Sequence, residues 1–203
     1  MPDVPSEEIQ KTRKPEYGIH PLILNRWSPR SMTGESMSDQ ELMPLFEAAR
    51  WAPSSYNNQP WRFVYARRDT PHWQTFLNLL VEFNQQWAKN AAVLVVVISH
   101  NNFGHNNQPS HTHSFDTGAA WENLALEGSG RGLVVHGMEG FDYNKARQVL
   151  NIPQDCTIEA MIAIGKRAPK TALPEPMQER EVPSQRKPLR SIMMEGKFIP
   201  PSV

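Results

Sequence analysis

Cysteine is nearly absent from the 203 residues, with Cys156 the single example. One thiol excludes an intrachain disulfide framework and suits a reducing cytoplasm. Long apolar runs are missing as well. The longest strong one covers residues 91–98, far short of a bilayer span, so no membrane is expected as a partner. The N-terminus, Met-Pro-Asp-Val-Pro-Ser-Glu-Glu, has neither the basic nor the apolar region of a secretory signal, and a cytoplasmic location is the expectation. Charge of one sign is also lacking. Lys plus Arg and Asp plus Glu number 21 each, for a formal net charge of +0. Neutrality argues against nucleic acid as a partner, because counterion release needs a basic surface.

What the chain does have is aromatic surface, with 6 Trp and 8 Phe to supply flat faces for a core, an interface or a planar ligand. Its length fits one α/β domain over residues 1–203. Prolines 2, 5 and 15 make residues 1–18 read as an extended arm. A short helix opens at Pro21. Ser38 with Glu41 forms a capping box, and Leu42, Leu45, Phe46 and Ala49 follow at helical spacing, predicting an amphipathic helix over 38–51 that Pro44 could kink. Residues 61–66 predict a strand and 71–84 a helix that could continue to Lys89. The apolar run from Ala91 predicts a strand buried on both faces. A long helix is expected over 114–130, with Phe115, Ala119, Asn123 and Leu126 on one face. Strands at 132–138 and 157–164 flank a helix capped by Asp142.

Beyond Gly165 the prolines multiply, and residues 168–203 predict an extended tail. Leu189, Ile192, Met193, Met194, Phe198 and Ile199 lie in it. Such a tail is either disordered or wrapped around a neighbour, and its apolar residues favour the wrap.

Three loops carry candidate chemistry. Arg26-Trp27-Ser28-Pro29-Arg30 sets two guanidinium forks around a hydroxyl, a pattern suited to phosphate oxygens or to a solvated basic turn. Pro53-Ser54-Ser55-Tyr56-Asn57-Asn58-Gln59-Pro60-Trp61 offers donors and acceptors suited to the edge of a planar heterocycle or to ordinary turn bonding. In His136-Gly137-Met138-Glu139-Gly140-Phe141-Asp142, two glycines let backbone approach a ligand, although a strand-to-helix turn needs glycine too.

In order and spacing these loops resemble the nitroreductase family of FMN-dependent oxidoreductases, from about Leu24 to Leu189. The resemblance implies an α/β (α+β) fold, a mixed and mostly antiparallel sheet with helices on both faces, and an intertwined homodimer with the tail wrapping the partner. It implies FMN as cofactor and NAD(P)H as co-substrate, with electrons passing to a small acceptor such as a nitroaromatic or a quinone. A flavin reductase, a dehydrogenase, a reductive dehalogenase or a non-catalytic FMN-binding protein is the alternative. By position, Arg26, Ser28 and Arg30 match the element for the FMN phosphate and pyrimidine edge. Pro53, Ser54, Ser55, Asn57 and Gln59 match the block reaching FMN from the opposite subunit. Gly137, Met138, Glu139 and Gly140 match the segment whose backbone meets the flavin N5. Arg186 matches a late basic residue at the phosphate, whereas Ser184 stands where family members often carry a second one. Asn84 matches a polar residue near the flavin less closely. No side chain is selected as a general acid.

His100, His105, His111 and His113, with Asp116, invite a metal reading. Without a clear third-ligand spacing, a polar loop is the expectation and no metal is assigned. Cys156, with no basic neighbour in sequence, reads as a structural thiol.

Overall fold

The computed structural model describes residues 4–200; the first three residues of the expected arm and the last three of the tail lie outside that range. Four strands form one sheet in the order β1-β2-β4-β3: β1 Trp61–Arg67, β2 Val93–His100, β3 Leu133–Met138 and β4 Cys156–Lys166. All three pairings are antiparallel. The helices are α1 Glu7–Thr12, α2 Pro21–Asn25, α3 Asp39–Arg50, α4 Trp73–Leu77, α5 Glu82–Ala88, α6 His113–Gly130, α7 Tyr143–Val149 and α8 Glu175–Gln178.

Strand alternation divides the core in two. On β2, Leu94, Val96 and Ile98 face Phe76 of α4, Trp87 of α5 and Ala146 of α7. Val93, Val95 and Val97 face Leu42 and Leu45 of α3 and Ala120 and Leu124 of α6. Helices therefore cover both faces of the sheet, and β2 is buried along nearly its whole length, each large side chain contributing roughly 1.5–3 kcal/mol. Gly128 lets α6 settle onto β3, since a Cβ there would stand 2.4 Å from Val135 Cγ2. Among the described residues no helix is long and apolar enough to cross a membrane.

Local signals set the helix ends. Ser38 Oγ accepts from the Glu41 N–H, and the Glu41 carboxylate accepts from the Ser38 N–H, so α3 starts at a complete capping box and runs on through Pro44. Asp142 caps α7 through the Lys145 N–H.

Four expectations need correction. The arm is not wholly extended, because Ser6 caps α1 and Glu7 and Glu8 occupy its first turn. The helix expected over 71–89 is two helices, broken where Leu80 bridges to Phe141 and the Val81 N–H donates to the Gly140 carbonyl. The buried face of α6 is Asp116, Thr117, Ala120, Leu124 and Gly128 rather than the Phe115 face, and Phe115 is 80% exposed. The tail is only partly extended: it holds α8 and two 3-10 turns, and Leu173 and Met177 are buried in this chain's own core.

Candidate functional site

A cleft of about 440 Å³ opens where the loop after α2, one face of α6, the end of β3 and the middle of β4 meet. Its walls include Arg26, Ser28, Trp121, Gly137, Met138 and Glu139. A second cleft, of about 690 Å³, carries Arg13, Lys14, Arg26, Arg186 and Lys187. Arg26 and Glu122 line both, so the two adjoin, one basic and the other walled by the Trp121 indole.

Arg26 sits at the junction with its side chain only 14% exposed. Its Nη1 donates to Ser28 Oγ at 3.2 Å, and its Nε lies 3.7 Å from the Glu122 carboxylate. Burial lowers the Arg26 pKa, Glu122 opposes that shift, and Arg186 adds to it. One carboxylate at 3.7 Å among the three guanidiniums of Arg13, Arg26 and Arg186 leaves positive charge in excess, which suits an incoming anion.

Three distant side chains hold this loop. Arg13 Nη1 donates to the carbonyls of Leu24 and Arg26 at 2.6 and 2.8 Å, and its Nε donates to the Ser184 carbonyl at 3.1 Å. The fully buried Glu181 accepts from the backbone N–H of Arg30 at 2.9 and 3.0 Å and from that of Ser31 at 2.9 Å. His136 Nδ1 lies 2.8 Å from the Pro29 carbonyl. A carbonyl only accepts, so the ring proton resides on Nδ1. Burial drives the His136 pKa down to about 4, although the Pro29 carbonyl works the other way. The imidazole is therefore neutral at pH 7 and packs on Trp87 with ring centroids 4.6 Å apart.

Arg26, Ser28, Gly137, Met138 and Glu139 thus come together in one cleft, and Arg186 lines the adjoining one. Trp121 forms a wall beside Gly137, where a Cβ would come within 3.3 Å of the indole. Arg30 and Gly140 do not line either cleft. The Arg30 Nε is buried without a hydrogen-bond partner among the described residues. The Gly140 carbonyl accepts from Asn84 Nδ2 at 3.0 Å, and a Cβ at 140 would meet that atom at 2.7 Å.

Pro53, Ser54, Ser55, Asn57 and Gln59 also lie off the cleft, beside the start of α6. The Ser55 N–H donates to Asp116 Oδ2 at 3.0 Å, and Ser54 Oγ accepts from the Gln59 N–H at 3.0 Å. Tyr56, Asn57 and Gln59 have φ of 53°, 52° and 49°. Left-handed backbone in three non-glycine residues of one loop is strain of a kind that clusters at functional sites. Tyr56 is 83% exposed there.

The four histidines do not converge. His100 bonds to the Asn102 carbonyl and pairs with Asp155, while His113 contacts Ser99 and Ser114. No group of three His, Cys, Asp or Glu able to hold a metal occurs among the described residues. Cys156 is buried, and burial raises its thiol pKa.

Sequence reasoning missed Arg13 and Glu181 entirely, and it did not single out Trp121 among the tryptophans. Trp121 had a signal. Ser114, Thr117, Gly118, Trp121 and Glu122 recur at helical spacing and all line the cleft.

An antiparallel α+β sandwich with a basic cleft adjoining a flat-walled one is the class to which fold and site assign this chain. Its relatives narrow that class. The Nitroreductase family model matches residues 23–166, and the chain belongs to the nitroreductase family. A solved oxidoreductase containing FMN is 46% identical, with a TM-score of 0.88 over 92% of this chain and 96% of its own. A nitroreductase-type protein from Desulfovibrio desulfuricans, solved in complex with FMN, is 26% identical, with a TM-score of 0.68 over 88% and 96%. A protein of Archaeoglobus fulgidus, for which NADH dehydrogenase or NAD(P)H nitroreductase activity has been suggested, is 27% identical over 71% of this chain and 82% of its own.

Proposed function

We propose that this protein is an FMN-dependent oxidoreductase that passes electrons from NAD(P)H to a small acceptor such as a nitroaromatic or a quinone. The observation that carries the reading is the position of Arg26, a buried guanidinium common to a basic cleft and a flat-walled one. FMN has the matching composition, an anionic phosphate joined to a planar ring. Among the described residues the Thr117 hydroxyl, on the cleft wall, is a buried polar atom left unpaired, which fits a region awaiting a polar ligand.

Arg26, Ser28 and Arg186 would hold the phosphate, with Arg13 keeping the Arg26 loop in place. Gly137, Met138 and Glu139 would lie along the ring, with Trp121 excluding water beside them. When bound, FMN supplies two-electron hydride chemistry, and the protein contributes binding, orientation and electrostatics.

The working unit in this reading is a homodimer. Ile192, Met193, Phe198 and Ile199 of the tail are each at least 60% exposed, apolar surface that a second subunit would cover. The block of Pro53, Ser54, Ser55, Asn57 and Gln59, strained and off this chain's own cleft, would reach the cofactor of the partner.

Anaerobic spectroscopy tests the function. The purified protein is expected to be yellow with bound FMN and to bleach when NADH or NADPH is added. FMN that neither nicotinamide reduces would leave only the dehydrogenase, dehalogenase or binding roles. A colourless protein indifferent to added FMN would remove the cofactor altogether.

A further inference from the structure

We propose that Glu159 is the proton donor of the cleft, fed by His113 through the Ser99 hydroxyl, and that the acceptors it serves are those that take up a proton with two electrons, as quinones do. The inference rests on the oxidoreductase reading above and goes on to name the acid that the sequence did not select.

The sheet itself presents Glu159. Pairing between β2 and β4 is regular except at one point, where Val97 faces Ala160 but Ile98 faces Ile158, leaving Glu159 as an extra residue. Such bulges re-aim side chains and are frequent beside active sites. Packing records the effect. Ile158 and Met161 both lie in the core beneath α4, α5 and α7, whereas Glu159 and Ala160, consecutive in sequence, both line the cleft. Strict alternation would have turned Glu159 toward that core.

The carboxylate is wired to a histidine. Glu159 Oε1 accepts from Ser99 Oγ at 2.5 Å and from Ser114 Oγ at 2.7 Å. A serine hydroxyl has a single proton, and the Ser99 proton is committed to Glu159. Ser99 Oγ can then only accept from His113 Nδ1, 2.7 Å away, and Ser114 Oγ is a second, longer acceptor 3.2 Å from the same nitrogen. His113 Nδ1 and Glu159 Oε1 lie 3.7 Å apart, so the relay turns through about a right angle at Ser99 Oγ, with His113 partly exposed at one end and Glu159 on the cleft wall at the other. One turn along α6 from His113, Thr117 lines the same cleft, and its buried hydroxyl has no partner among the described residues. That hydroxyl is placed to steady the acceptor oxygen. Arg26, Glu122 and Glu139 line the same cleft, and Tyr143 feels Glu159 from outside it; burial first, then the Glu139 and Glu159 carboxylates, keeps the Tyr143 phenol protonated. Asp116 is engaged by the Ser55 N–H and the Thr112 hydroxyl.

The step balances. Bound and reduced, FMN would supply one quinone oxygen with a hydride carrying both electrons. The other quinone oxygen would gain the proton carried on the Glu159 oxygen that Ser99 and Ser114 leave free, as that O–H bond breaks, giving hydroquinone and oxidised FMN. Glu159 is reprotonated through Ser99 by His113, and His113 by water.

The test uses FMN-loaded protein reduced with dithionite and mixed in a stopped flow with 1,4-benzoquinone or with ferricyanide, which takes electrons without protons. Glu159→Gln is expected to lower the quinone-to-ferricyanide rate ratio about 100-fold, and His113→Gln about tenfold because water can bypass it. In the unaltered protein, D2O is expected to slow the quinone reaction about twofold and to leave the ferricyanide reaction unchanged. Difference spectra of the oxidised flavin add a readout without turnover: Glu159→Gln is expected to weaken phenol binding about tenfold relative to anisole, which has no O–H to donate. Unaltered ratios in both variants would overturn the relay while leaving the oxidoreductase reading intact. If neither variant folds, equal rates in H2O and D2O for the unaltered protein would overturn it. Protein that neither carries FMN nor takes it up would overturn both.

Discussion

Acidification from pH 7 to pH 5 offers a proton that the unfolded chain accepts and folded His136 refuses. The ring is 8% exposed, and its pKa lies near 4 rather than 6.5. Its folded pKa is depressed, so its contribution is complete above the unfolded value and is lost as pH falls from about 6.5 toward 4. Those two values give a loss of about 2 kcal/mol between pH 7 and pH 5 from this residue alone. His136→Asn does not titrate, and it keeps an N–H that can reach the Pro29 carbonyl. The assay is urea unfolding of both proteins at both pH values, read from midpoints at unchanged slope. The unaltered protein is expected to lose about 2 kcal/mol more than the variant on acidification. Equal losses would refute the claim that a neutral, buried imidazole ties β3 to the Arg26 loop.

Glu181→Ala strands the N–H groups of Arg30 and Ser31 and is expected to cost about 3 kcal/mol or more, measured by urea unfolding, together with weaker FMN retention. Gly128→Ala forces a methyl to within 2.4 Å of Val135 and is expected to destabilise by about 1–3 kcal/mol, since α6 must lift from the sheet; an unchanged melting temperature would contradict that packing. Deleting the residues after Pro188 removes Ile192, Met193, Phe198 and Ile199, and is expected to shift the protein toward monomer in sedimentation and to lower its flavin content.

The parts of this structure legible from sequence are those specified locally. The Ser38–Glu41 box, the Asp142 cap and the unbroken apolar run of β2 each carry their signal within a few residues. So do the three loops, although Arg30, Gly140 and the whole block of Pro53, Ser54, Ser55, Asn57 and Gln59 show that a matching motif need not place its residues on the cleft wall. What escaped is set by distance. Glu181 meets Arg30 across 151 positions, and Arg13 meets Ser184 across 171. Neither leaves a local trace. The break between α4 and α5 has the same origin, because Leu80 pairs with Phe141 and not with a neighbour in sequence. The bulge at Glu159 arises from strand pairing and leaves no periodic mark on β4. The first helix is different: its cap and acidic first turn are local signals, but the prolines at 5 and 15 on either side of it point to extended chain.

The central claim is that Arg26 sits where a phosphate meets a planar ring, and comparing FMN with riboflavin, the same ring without phosphate, tests it most directly. By titration, the unaltered protein is expected to bind FMN at least about 100-fold more tightly than riboflavin, and Arg26→Ala to lose about 10- to 100-fold of that preference, as fits one charge-assisted contact of roughly 1.5–3 kcal/mol. Equal affinity for the two flavins, or an unchanged preference in the variant, would contradict it.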